Sequence, residues 1–159
     1  MSQTLVKSGF LIEAPEVVAN IEAALMAAQN AVDEAQDEGR EPDVKFTIPN
    51  RLEDRGYFFE VDLDYPDELH SAHSDYPLAP ERLNVAAESK SLIQQALEQR
   101  YERRPQNYSK LVPNLHDKRT YRLHYENLLY YMQQGMRLVK IHRAVSFTQE
   151  AWLEPYIRL

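Results

Sequence analysis

Residues 56–64 read GYFFEVDLD, and their alternation decides the sheet that the sequence predicts. Successive side chains of a β-strand point to opposite faces. One face of this predicted strand is apolar, with Phe59, Val61 and Leu63. The other face is mostly acidic, with Phe58, Glu60, Asp62 and Asp64. The pattern predicts a strand that covers a core on one side and meets solvent on the other.

A second strand is predicted over residues 137–147, where apolar and polar residues again alternate. The expected core face consists of Val139, Ile141, Val145 and Phe147, and the opposite face of Lys140 and His142. Together the two strands predict an α+β fold: a small antiparallel sheet with helices packed on one side.

A helix is predicted over residues 121–134, with a short strand at its entry as an alternative. Its apolar face is formed by side chains at helical spacing, namely Tyr125, Leu128, Leu129 and Met132. Gly135 follows as the expected helix stop, because glycine adopts the left-handed conformation that closes many helices.

The longest predicted helix covers residues 14–38, with Pro15 at its first position and an apolar stripe along one side. A second helix is predicted over residues 86–103, and the start of another over residues 151–159. The remaining expectations are a short strand at 45–48, irregular backbone over 67–81 and a loop or short extended piece over 110–117.

Length and composition limit the classes of protein to which this chain can belong. The 159 residues suffice for one domain with a core, and the chain has no cysteine, which excludes disulfides and thiolate metal sites. No apolar run approaches the ~20 residues that span a bilayer, and no signal-peptide pattern follows Met1. We therefore expect a soluble intracellular protein without a membrane partner.

The charge distribution is uneven along the chain. Residues 100–159 hold 11 Lys and Arg against 5 Asp and Glu, which leaves +6, whereas the whole chain carries −7. A basic surface of this kind suits phosphate contacts, because backbone electrostatics dominates nucleic-acid affinity. An ordinary solvated basic surface is the equally weighted alternative. The candidate DNA-binding or protein-binding residues are Lys110, Lys118, Arg119, Arg122, Lys140, His142 and Arg143.

Two acidic or histidine-rich groups invite a metal interpretation. Glu60, Asp62 and Asp64 on one strand face resemble a Mg²⁺ site, but a solvated strand face is the favoured explanation. His70 and His73, with Asp67 and Asp75 nearby, fit a surface loop better than a zinc site. Glycine occurs only 4 times and never in a cluster, which argues against a phosphate-binding loop. We predict neither a metal site nor a catalytic residue.

Two long segments carry a family resemblance. Residues 56–81 read GYFFEVDLDYPDELHSAHSDYPLAPE, and residues 110–157 read KLVPNLHDKRTYRLHYENLLYYMQQGMRLVKIHRAVSFTQEAWLEPYI. Both resemble protein-primed family B DNA polymerases of self-synthesising transposons and viruses. The shared features follow in the family's order: the strand of residues 56–65, a Pro-Asn-Leu…Asp-Lys turn, a Tyr-x-x-His-Tyr helix start and a Leu-x-x-Ile-His-Arg strand.

The resemblance implies that the chain is a partial polymerase palm with an insertion, lying between the first metal motif and the nucleotide-binding motif. Residues 1–159 would then form one partial domain, residues 13–44 a helical insertion, and residues 108–159 a basic helix–strand segment contacting DNA or the priming terminal protein. The family's catalytic aspartates, which bind Mg²⁺ in the full-length enzyme, have no counterpart here. The implied piece is not catalytic on its own.

The implied partners are DNA, the terminal protein, and either the rest of the polymerase or a second copy of the chain, because a divided palm leaves sheet edges open. The alternative function is a non-enzymatic adaptor that binds nucleic acid or protein. In that case the apolar stripe of residues 14–38 would serve as a partner interface. A third option is a metal-dependent nuclease that uses Glu60, Asp62 and Asp64.

Overall fold

A computed structural model describes residues 5–40, 44–84, 90–101 and 109–150. The described residues fall into two compact units, one within Met1–His70 and His116–Leu159 and the other within Ser71–Leu115, whereas the sequence predicts one domain. The predicted helix start at 151–159 lies outside the described residues, as do parts of the predicted helix 86–103.

Six strands and four helices follow one another along the described parts of the chain. The elements are β1 (Leu5–Ile12), α1 (Pro15–Asp37), β2 (Arg55–Asp64), α2 (Asp67–His73), β3 (Glu81–Asn84), α3 (Leu92–Arg100), β4 (Ser109–Val112), β5 (Lys118–His124), α4 (Tyr125–Gln133) and β6 (Arg137–Glu150). The larger unit contains a four-stranded antiparallel sheet in the order β1-β6-β2-β5. The predicted α+β class is confirmed.

Strand β2 has the two faces that its sequence predicts. Its core-facing side chains, Tyr57, Phe59, Val61 and Leu63, are all buried. Glu60, Asp62 and Asp64 on the opposite side are partly accessible. Helices α1 and α4 contact the sheet and bury apolar residues of their own, so the core lies between the helices and this buried face.

Helix α1 confirms the prediction for residues 14–38 and packs against β6. Ile21 and Leu25 of its apolar stripe are buried in the core. The expectation that this stripe is a free partner interface is therefore wrong, since the sheet of the same chain covers it. Polar side chains fix α1 further: Oε1 of Gln29 accepts a hydrogen bond of 2.9 Å from the backbone N–H of Leu138.

Strand β5 extends further than predicted, and α4 starts correspondingly later. Residues 121–124 belong to β5, and the helix begins at Tyr125. The His124 imidazole caps this start by accepting a hydrogen bond from the backbone N–H of Glu126. Gly135 ends α4 as predicted, with a φ of 97° that only glycine adopts without strain.

Strand β6 contains two bulges opposite β2. The residue in excess opposite residues 60–61 is His142, and the one opposite residues 62–63 is Val139. Each extra residue shifts the alternation by one position. Leu138 consequently faces the core, while Val139 is 41 % exposed, so the predicted core position of Val139 is wrong.

The smaller unit holds a two-stranded antiparallel sheet of β3 and β4, and helix α3. Ser91 and Gln94 form a reciprocal capping box at the start of α3. The predicted loop or extended piece at 110–117 contains part of β4, which begins at Ser109. Two other expectations differ: residues 67–73 form α2 instead of irregular backbone, and residues 45–48 form no strand.

Candidate nucleic-acid interface on the open face of the sheet

The face of the larger sheet opposite the helices, here called the open face, is arranged in cross-strand rows. Residues directly opposite each other on antiparallel strands share a face and lie side by side. The register therefore gives an apolar row across all four strands, made of Ile12, Val145, Phe58 and His124. The next row consists of Arg143, Glu60 and Arg122, and the following one pairs Lys140 with Asp62.

Aromatic contacts organise the apolar row around Phe58. Its ring centroid lies 5.5 Å from that of His124 in an edge-to-face arrangement and 4.9 Å from that of Phe147. Burial lowers the pKa of His124, which favours the neutral imidazole. Phe147 projects from the same face as Phe58, since it pairs with Gly56, and it is buried, whereas Phe58 is 39 % exposed. The row thus offers an accessible aromatic surface on a packed support.

Two arginines flank the single carboxylate of Glu60. Nε of Arg122 lies 2.8 Å from Oε2 of Glu60, and NH2 of Arg143 lies 3.0 Å from the same oxygen. The hydrogen bonds from Arg143 and Arg122 lower the pKa of Glu60 to about 2. The arginine side chains remain 77 % and 65 % exposed. One negative and two positive charges leave this row with a net charge of +1.

Asp62 forms the next polar contact along β2. Its Oδ1 accepts a hydrogen bond of 2.8 Å from the backbone N–H of Thr120 and lies 3.0 Å from Nε2 of His142. The Thr120 hydrogen bond is the largest cause that lowers the pKa of Asp62, and His142 acts in the same direction. Thr120 has a φ of 48°, which is rare for a β-branched residue.

Arg119 closes the row of charges at the end of β2. Its NH1 donates to Oδ1 of Asp64 at 2.9 Å, and its NH2 lies 3.2 Å from Oδ2 of Asp117. The hydrogen bond to Asp64 raises the pKa of Arg119. Asp117 also accepts from the backbone N–H of Tyr65, which joins β5 to the end of β2. One cation between two carboxylates leaves this cluster with a net charge of −1.

The predicted basic surface is brought together in part. Five of its residues, Arg119, Arg122, Lys140, His142 and Arg143, lie on β5 and β6 of the larger sheet. Lys110 lies on β4 in the smaller unit. Lys118 is fully buried, with 0 % exposure, so its prediction as a surface contact is wrong. Its side chain turns to the core because it pairs with buried Leu63.

The carboxylates of β2 are engaged by cations and by backbone donors. Glu60 contacts Arg122 and Arg143, Asp62 contacts Thr120 and His142, and Asp64 contacts Arg119. These partners explain the acidic face as an ion-pair ladder. Within the described ranges, no three His, Asp or Glu side chains are placed to hold one metal ion.

The histidines of α2 have local partners. Nε2 of His70 lies 3.2 Å from the carbonyl oxygen of Tyr65 and 3.8 Å from Oδ1 of Asp67. Both partners are neighbours in the chain, at the end of β2 and the start of α2. These contacts connect the His70 side chain to the residues at the start of α2.

A groove of about 630 Å³ is lined by side chains of both rows and by two residues of α4, Asn127 and Tyr131. Its walls include Ile12, Phe58, Val145, Arg122 and Arg143. Sequence reasoning missed Ile12 and Val145 as site residues, because only the register of β1 and β6 places them beside Phe58. The alternation of residues 56–64 predicts that Phe58 faces away from the core. It is the one sequence pattern that indicates the apolar part of the site.

Comparison of the chain with protein-family models, curated proteins and solved structures finds no match. In the part of the chain that the structure describes, the helices lack the length or the apolar character needed to cross a bilayer.

Proposed function

We propose that the chain is a palm segment of a protein-primed family B DNA polymerase that contributes nucleic-acid and terminal-protein contacts and does not polymerise on its own. The proposal is supported by the order of the family-like motifs. Residues 56–64 lie in β2, the Tyr-x-x-His-Tyr motif joins β5 to α4, and the Leu-x-x-Ile-His-Arg motif lies in β6. The motifs thus build neighbouring parts of one sheet.

The observation that carries the nucleic-acid part is the placement of Arg122 and Arg143. They come from different strands, flank Glu60, and keep most of their side-chain surface exposed. Because one carboxylate neutralises only one of two guanidinium groups, the pair retains attraction for a phosphate. Arginine also presents a planar fork that matches phosphate oxygens. Lys140 is exposed in the adjoining row.

The polymerase reaction of this family requires Mg²⁺, which clamps the attacking and leaving oxygens. The described residues that come nearest to a ligand set, Glu60, Asp62 and Asp64, do not fit that role because cations and a backbone N–H already engage them. We therefore expect no incorporation by the purified chain in a primer-extension assay with Mg²⁺. Incorporation above background would contradict the proposal.

A salt titration tests the phosphate contacts. Affinity for a labelled oligonucleotide should fall steeply from about 50 to about 200 mM salt, because each phosphate contact releases counterions. The double variant R122Q/R143Q should bind more weakly and lose about 0.7 of the logarithmic salt slope for each contact removed. R40Q is the matched control, since Arg40 is an exposed arginine beyond the end of α1. Equal slopes for all three proteins would refute this part.

An adaptor that binds a protein partner is the second candidate function, and helix α3 favours it. Leu92, Ile93, Leu97 and Tyr101 are all exposed, and no side chain of this helix is buried. Exposed apolar stripes of this kind mark interaction sites. Sedimentation of the chain at rising concentration tests whether a second copy covers α3. I93K/L97K should then remain monomeric, and identical sedimentation of both proteins would exclude self-association through α3.

A further inference from the structure

We infer that the groove on the open face binds single-stranded nucleic acid, with unpaired bases against the apolar row and phosphates along the arginine row. This inference rests on the proposed nucleic-acid function and names the form of nucleic acid that the site accepts. It follows from the relation between the two rows, which are adjacent on β6, β2 and β5.

The first step is the shape of the apolar row. Ile12, Val145, Phe58 and His124 are neighbours across successive strands, so the row runs perpendicular to the strands. Strands lie about 4.8 Å apart, which gives the row a length of roughly 14 Å. One class of RNA-binding domain binds single strands by stacking two or three bases on aromatic side chains of a four-stranded sheet. The dimensions of the apolar row suit that mode.

The second step is the chemistry of the apolar row. Phe58 is partly exposed, its ring is supported by Phe147 and His124, and the His124 imidazole is held largely neutral by burial. A ring fixed by such contacts loses little conformational freedom when a base stacks on it. Stacking does not depend on base identity, because every base has a π-face. We therefore expect tolerance of sequence.

The arginine row places positive charge beside the apolar row. Arg143 and Arg122 lie one row from Val145 and His124 along β6 and β5, and both arginine side chains line the same groove. A single strand that lays its bases on the apolar row has its phosphates within reach of the arginine row. Duplex DNA keeps its bases stacked inside the helix, so it gains only the phosphate contacts. The groove accordingly discriminates by strandedness.

Three probes of equal length separate these contributions: an oligothymidylate, an abasic oligonucleotide and a duplex. Fluorescence anisotropy should show the oligothymidylate binding about tenfold more tightly than the abasic strand, since stacking of one base on an aromatic residue contributes about 5- to 150-fold. F58L should lose most of this advantage. F58Y, which keeps the aromatic ring, should retain it. Y130L, which removes an exposed tyrosine from α4, should behave as wild type.

The outcomes distinguish the inference from the proposed function. Equal affinity for the three probes, with a steep salt dependence and no effect of F58L, would overturn base stacking while leaving phosphate binding intact. No binding of any probe at low salt would overturn both. Loss of binding by F58L and F58Y alike, with unchanged thermal stability, would also contradict a stacking role for Phe58.

Discussion

Asp62 holds Thr120 in a left-handed backbone conformation: its Oδ1 accepts the Thr120 N–H at 2.8 Å, and the φ of Thr120 is 48°. Thr120 lies in β5 where the register with β2 shifts between Leu63 and Val61. The acidic side chain that resembles a metal ligand in the sequence therefore stabilises a strained turn of the neighbouring strand.

Replacing Thr120 by glycine should stabilise the protein. A β-branched residue at positive φ costs about 1–3 kcal/mol, and the greater flexibility of glycine offsets about 0.5–1 kcal/mol of the relief. We expect the free energy of unfolding to rise by about 1 kcal/mol in urea denaturation. T148G is the matched control, since Thr148 lies in β6 with ordinary strand geometry, and it should lower stability. Equal losses of stability in T120G and T148G would show that the backbone of Thr120 is not strained.

Stability should decline in acid because of Glu60. Arg143 and Arg122 lower its folded-state pKa to about 2, below the value in the unfolded chain. A lowered folded-state pKa stabilises the protein above the unfolded-state pKa, and this contribution is lost as pH falls. Urea midpoints of the wild type should therefore drop between about pH 5 and pH 2. The urea midpoint of E60Q should decline less steeply over that interval. An equal decline in E60Q and the wild type would rule out a contribution of Glu60 to the pH dependence.

Gly56 has no room for a side chain. A Cβ at this position would lie 2.5 Å from the Phe147 ring and 2.7 Å from Oε1 of Gln149. G56A should therefore destabilise the protein by about 1–3 kcal/mol through overpacking. Combining it with F147L should recover part of that loss in a double-mutant cycle. G39A should lose stability for a different reason, since Gly39 has a φ of 68° and a Cβ there meets no atom within 4 Å, so F147L should not recover that loss. Strict additivity of G56A and F147L would contradict the proposed clash.

Replacing Gln29 should destabilise the protein. Its Oε1 accepts the backbone N–H of Leu138, which lies beside a bulge of β6. Q29M keeps the side-chain length but leaves this N–H without an acceptor, which costs about 1–3 kcal/mol. Hydrogen exchange of the Leu138 amide should accelerate at the same time. Q36M is the control, because Gln36 is exposed on the same helix. Equal effects of both variants would count against the contact.

The parts of the fold set by local pattern were predictable. The alternation of β2 gave its two faces, and the stripe of α1 with Pro15 gave the long helix. Gly135 marked the end of α4. In each case the preference of neighbouring residues agrees with the tertiary contacts, so a short window contains the necessary information.

The parts set by strand pairing were not predictable. The sequence pattern places residues 121–124 in one helix with Tyr125. In the structure they belong to β5 instead, because they pair with β2, which is distant in the sequence. Lys118 has a polar sequence context but enters the core through the same pairing. The open-face rows depend on the register of four strands. Hence the sequence supplied the charged residues of the candidate site without Ile12 and Val145, its apolar members.

The two bulges of β6 make this strand tolerant of the loss of one residue at either place. Val139 and His142 are the residues in excess opposite β2, so deleting either leaves the pairs on both sides with their partners and faces. Deleting a paired residue outside the bulges would instead turn its neighbours over and bring polar side chains to the core. Relatives of this chain are thus expected to vary in the length of β6 by single residues at these two positions.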